Sequence, residues 1–169
     1  MIVDRDRAAI GQLEQVFHEL EKWLAALPPA AFELPVFTGE GDGWRVRDVL
    51  PHWASWQRLA ARVAERIASG VEPPPEPELR LRTFLGLGQS VDELNAETFE
   101  RWRRRPVAEL FTELKAAHVA LMEALRTLPH ERLVKANGEL YRYFWQPGLN
   151  HLQQHRAHIE QALKEKSTP

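Results

Sequence analysis

Apolar residues recur along this chain at intervals of three and four, the repeat that lines one face of a helix. In the first segment they fall at Ile10, Leu13, Phe17, Leu20, Leu24 and Leu27, and the pair Pro28-Pro29 ends the run. Between 30 and 43, Pro35, Gly39, Gly41 and Gly43 prevent a continuing helix. A second stripe follows at Val46, Val49, Trp53, Trp56, Ala60, Val63 and Ile67, and Gly70 predicts its C-terminal stop. Pro51 lies inside this stripe, past the first turn, so one missing backbone hydrogen bond and a bend are expected there. The segment VEPPPEPELR (71–80) reads as an extended connection.

From Ser90, the run SVDELNAETFERWRRR predicts another helix, with Ser90 as N-cap and Glu93 completing a capping box. Pro106 suits the first position of the next helix. The stripe of that helix is Val107, Phe111, Leu114, His118, Leu121, Leu125 and Leu128. An aromatic-rich loop, NGELYRYFWQPG (137–148), leads to a last helix over roughly 149–165, with Lys164 and Lys166 near its negative end. Strand signals are nearly absent. Four long amphipathic helices and a shorter one predict an all-α protein, an antiparallel four-helix bundle in which 71–105 is the one long crossover and carries the extra helix.

The length of 169 residues suits a single domain over 1–169. Apolar residues make up 44% and charged ones 27%, an ordinary globular balance. With 22 basic and 24 acidic residues the formal charge is −2, which gives no electrostatic footprint for nucleic acid. No apolar run approaches the ~20 residues that span a bilayer, and the charged opening MIVDRDR has no signal core. A soluble, cytoplasmic protein is expected. The absence of cysteine excludes disulfides, thiolate metal sites and cysteine nucleophiles, so any metal must be held by His, Asp or Glu.

Chemistry concentrates in NHLQQHRAHIEQ (150–161), where three of the seven histidines fall within eight residues. At 3.6 residues per turn His151, His155 and His158 share about 60° of helix surface. His151 and His155 are four apart, the spacing at which two imidazoles reach one metal from one face. His155 lies beside the apolar stripe Leu152, Ile159 and Leu163, which turns it toward the bundle. A third ligand must come from elsewhere, and His52 and His118 are the internal candidates. For His118, placed among Leu114, Ala117 and Leu121, packing in the core is the favoured role. Tryptophans 53, 56, 102 and 145 suit either a ligand pocket or a core, with the core favoured. The RWRRR run (101–105) follows Asp92, Glu93, Glu97 and Glu100 and reads as a solvated helix face. No phosphate loop or nucleophile elbow is present.

GWRVRDVLPHWASWQRL (43–59) resembles the entry to the second helix of the DinB-like (YfiT-like) four-helix bundles, and NHLQQHR (150–156) resembles the stretch that opens their last helix. Residues 93–125 are similar to the ClbS/DfsB branch of that superfamily. The resemblance implies a divalent metal, nickel or zinc, held by His52, His151 and His155. The local register also allows His155 and His158 to occupy the two later places. Glu40, Asp42 and Asp48 are the candidate supports for His52.

Three imidazoles leave a coordination position open for water or substrate. The resemblance implies metal-dependent chemistry on a small-molecule substrate, by thiol transfer or hydrolysis, in detoxification or stress response. A low-molecular-weight thiol is the expected co-substrate and a homodimer the expected assembly. Two other readings remain open: a metal-free resistance hydrolase or sequestering protein of the ClbS/DfsB kind, and a non-enzymatic bundle with structural histidines.

Overall fold

The structure, a computed structural model, describes residues 2–36, 43–71, 90–129, 131 and 150–167. Among the described residues there are five α-helices: α1 (Ile2–Ala25), α2 (Val46–Ala68), α3 (Val91–Trp102), α4 (Val107–Thr127) and α5 (His151–Ser167). A 3-10 turn at Pro29–Glu33 follows α1. Among the described residues there is no strand, only an isolated antiparallel bridge between Pro35 and Arg45. The protein is all-α, a DinB-like helical bundle, and α3 is the extra helix of the crossover between α2 and α4. None of the described helices is long and apolar enough to cross a membrane.

The predicted stripes are the buried faces. Leu13, Phe17, Leu20 and Leu24 of α1 are buried, as are Val46, Val49, Trp53, Ala60, Val63 and Ile67 of α2 and Leu114, Leu121 and Leu125 of α4. The core divides in two along the bundle. Leu13 of α1 meets Ile67 at the C-terminal end of α2 and Leu125 at the C-terminal end of α4. Leu24 packs instead with Val46, Trp53 and Leu110, and with Leu152 and Ile159 of α5. So α1 runs against α2 and α4, while α2 and α4 run the same way. That parallel pair requires a connection returning the full length of the bundle, which the crossover supplies.

Local chemistry sets the helix ends. Gly70, at φ 98°, occupies the left-handed position after α2. Its N–H bonds to the Ile67 carbonyl and that of Val71 to the Arg66 carbonyl, the paired closure that a glycine at this position permits. Ser90 caps α3, its Oγ accepting from the Glu93 N–H at 3.1 Å while Glu93 accepts from the Ser90 N–H. Pro106 differs from expectation by one position: it is the N-cap of α4, in extended backbone, and Val107 opens the helix. Helix α2 runs from Val46 through Pro51 to Ala68 as one element. The aromatic loop with Tyr141, Tyr143, Phe144 and Trp145 lies outside the described residues.

Candidate metal centre

His52 comes from the second turn of α2, and His151 and His155 from the first turns of α5. Their ring nitrogens converge. His52 Nε2 lies 2.8 Å from His151 Nε2, and His155 Nε2 lies 2.9 Å from the same atom. One nitrogen from each ring falls within 4.8 Å of those of the other two. The rings stand steeply to one another, at 65° to 84°, so that edges rather than faces meet at the centre. His52 and His155 are fully buried, and the His151 ring is buried with them although that residue as a whole keeps some exposure.

An imidazole nitrogen carries either one hydrogen or one in-plane lone pair. His151 Nε2 therefore cannot make two good hydrogen bonds, one to His52 and one to His155, at the same time. Three nitrogens aimed at a common point suit a shared cation better than they suit each other. Tetrahedral zinc, with Zn–N of about 2.0–2.1 Å, separates its nitrogens by about 3.3 Å, so the rings need to part only by a few tenths of an ångström. Burial, reinforced by the neighbouring charges His52 and His155 would carry, lowers the His151 pKa from 6.5 to about 2. The ring is neutral at any ordinary pH, as a ligand must be.

Tryptophans build the walls. Trp44 and Trp56 stand edge-on to His52, Trp56 also to His151, and Trp53 to His155. Trp53 is fully buried and donates its indole N–H to the His151 carbonyl at 3.2 Å, which fixes the start of α5 against α2. Trp44, stacked on Phe99 of α3, carries the contact onward to the crossover helix. On the far side of His155, Nδ1 lies 3.3 Å from His158 Nδ1, so His158 supports a member of the cluster instead of joining it.

The other candidates take different positions. His118 is buried, stacked on Phe17 at 3.7 Å and 4°, with Nδ1 2.9 Å from Gln57 Oε1. It is a packed core histidine, and burial holds its pKa at about 4. Asp48 is not a support for His52: its Oδ2 accepts from the Arg45 N–H at 2.8 Å and thereby closes the first turn of α2. Burial raises its pKa, opposed by that hydrogen bond and by Arg45 and Arg47. Glu40 and Asp42 lie outside the described residues. Within RWRRR, Arg103 pairs with Glu100 and Arg105 with Glu109, as a solvated face would. Trp44 and Gln57 were not singled out from the sequence. Gln57, three residues before Ala60 on α2, carried no local sign of its partner 61 positions away.

Residues 13–139 match the model of the mycothiol maleylpyruvate isomerase N-terminal domain family. The chain belongs to that family. It is a DinB/YfiT-like helical family, in agreement with the wider resemblance, and the match adds nothing in favour of the ClbS/DfsB branch. No curated protein and no solved structure matches the chain. The matched span contains His52 but ends before His151 and His155, so the convergence of the three rings is an observation separate from the family match.

Proposed function

We propose that the protein is a divalent-metal-dependent enzyme acting on a small molecule, with His52, His151 and His155 as the ligands and a low-molecular-weight thiol of the mycothiol class as co-substrate. The observation that carries this reading is the convergence of three buried-side Nε2 atoms, two of the contacts at 2.8 and 2.9 Å, on a nitrogen that cannot satisfy both. The thiol is suggested by the family's name. When bound, nickel or zinc supplies Lewis-acid activation of a thiol or water near neutral pH. Three imidazoles suit either ion.

The chain's own residues prepare that chemistry. Desolvation keeps His151 unprotonated, so its lone pair is available without displacing a proton. The His158 contact fixes the orientation of the His155 ring, and the Trp53 N–H fixes the backbone from which His151 projects. Trp44, Trp53 and Trp56 pack edge-on against the three rings and withdraw them from water.

Elemental analysis of protein purified without a histidine tag tests the reading. About one nickel or zinc per chain is expected, lost in both His52→Ala and His151→Ala. Metal-free protein that also ignores added nickel and zinc would remove the proposal. Loaded protein is then expected to accelerate thiol addition to, or isomerisation of, electrophilic substrates, and to lose that activity on chelation.

A further inference from the structure

A cleft of about 410 Å³ runs between α2 and α3, with Glu113 of α4 at one side. That volume falls within the range of small-molecule sites. Its walls are apolar in part, with Trp56 and Leu59 from α2 facing Leu94 and Trp102 from α3. Asn95 also lines it, is only 4% exposed, and has a buried Nδ2 without a hydrogen-bond partner. An amide N–H withdrawn from water and left unpaired is costly, and an occupant bringing an acceptor oxygen removes that cost.

The charges around the cleft narrow the occupant further. Arg58 is engaged, its guanidinium meeting both Glu113 oxygens at 2.5 and 3.0 Å. Arg62 and Arg101 line the same cleft, are exposed, and make no ion pair among the described residues. The Arg101 guanidinium sits 5.6 Å over the Trp102 ring, at the lip of the cleft. Glu97 also lines the cleft, so among the described lining residues the formal charge outside the Arg58–Glu113 pair is one positive.

We infer that this cleft is a binding site for a small organic monoanion. Its flat apolar body rests against Trp56 and Trp102, its carboxylate faces Arg62 and Arg101, and one of its acceptor oxygens takes the Asn95 N–H. The cleft lies outside the histidine cluster but shares a wall with it, because the Trp56 ring lies 6.3 Å from the His52 ring and 5.9 Å from that of His151. The site needs no metal.

Benzoate, with the neutral benzamide as control, tests this by calorimetry and by tryptophan fluorescence on the full chain, with and without chelator. Saturable one-to-one benzoate binding is expected, about tenfold tighter than benzamide and indifferent to chelator. Arg62→Gln and Arg101→Gln, both on the exposed rim, are each expected to weaken benzoate by about two- to fivefold while leaving benzamide unchanged. Asn95→Leu should weaken both probes. Equal affinity for the two probes, no saturable binding, or unchanged benzoate affinity in the Arg62→Gln, Arg101→Gln double variant would each overturn the inference. Preference for phenyl phosphate would place a dianion in the cleft and overturn the monoanion. Because the chelator arm is separate, failure here and failure of the metal reading are distinguishable.

Discussion

His118 lies flat against Phe17 with Nδ1 against Gln57, and its surroundings hold it neutral. Its pKa of about 4 in the folded protein lies below the 6.5 of the free side chain, so the unfolded chain takes up the proton first. The associated stability is complete above about pH 6.5 and is lost as the pH falls toward 4. Between pH 7 and pH 5 the loss attributable to this one ring is about 2 kcal/mol. Urea unfolding at the two pH values is expected to show a loss of at least that size, and a loss smaller by about that amount in His118→Gln. The comparison is made on metal-free protein, because metal binding by imidazoles weakens over the same interval. Trp53 has a second role beyond its volume. Trp53→Phe keeps most of the packing but removes the N–H donated to the His151 carbonyl. A cost of about 1–2 kcal/mol is expected, together with weaker nickel binding in a competition titration, because His151 projects from that backbone.

At the scale of elements, α3 depends on its ends. Its only fully buried side chain is Asn95, so the Ser90–Glu93 cap carries an unusual share of its stability. Ser90→Ala is expected to cost about 1 kcal/mol. Hydrogen exchange should place the loosening in 91–102 and leave α2 and α4 protected. This helix also marks the limit of what the sequence discloses. α1, α2 and α4 are legible because each buries a continuous stripe, and hydrophobic spacing is a local signal. The capping box of α3 was equally legible, being a matter of residues three apart. The roles of Trp56, Trp102 and Asn95 were not, since the cleft they line exists only once the crossover has laid α3 beside α2. Asp48, one of three candidate supports for His52, instead closes the first turn of α2 by accepting from the Arg45 N–H. The His151–His155 pair was visible from its four-residue spacing. The resemblance supplied His52 as their companion and apolar neighbours favoured a core role for His118; that Phe17 and Gln57 are the residues enclosing it was not legible.

Across the whole molecule, the cluster ties the second helix to the last. Helix α5 buries only Leu152, His155 and Ile159 fully, so one of its three deepest anchors is an imidazole. Exposed pairs do little to compensate: Arg156 reaches over Trp23 of α1 at 4.9 Å, a contact worth about 0.5–1 kcal/mol. Nickel or zinc at tenfold to a hundredfold above its Kd is expected to raise the melting temperature, by about 1.4–2.7 kcal/mol of linkage. Near-ultraviolet circular dichroism should sharpen in parallel, as Trp53 and Trp56 become fixed. The same addition to His155→Ala should do neither.

This chain has no cysteine, yet it places two donors 99 residues apart in sequence within 2.8 Å of each other. A cation gripped by both would knot the polymer into a ring of roughly that circumference. Because the ion leaves when the chain unfolds, the ring is closed only in the native state, and the brace is worth what binding supplies, about 1.4–2.7 kcal/mol at tenfold to a hundredfold above Kd. Unlike a disulfide, such a staple ignores the redox state of its surroundings and answers to metal supply and acidity instead. Protein deprived of the ion would lose that brace, and faster proteolysis within α5 would be the first sign of it.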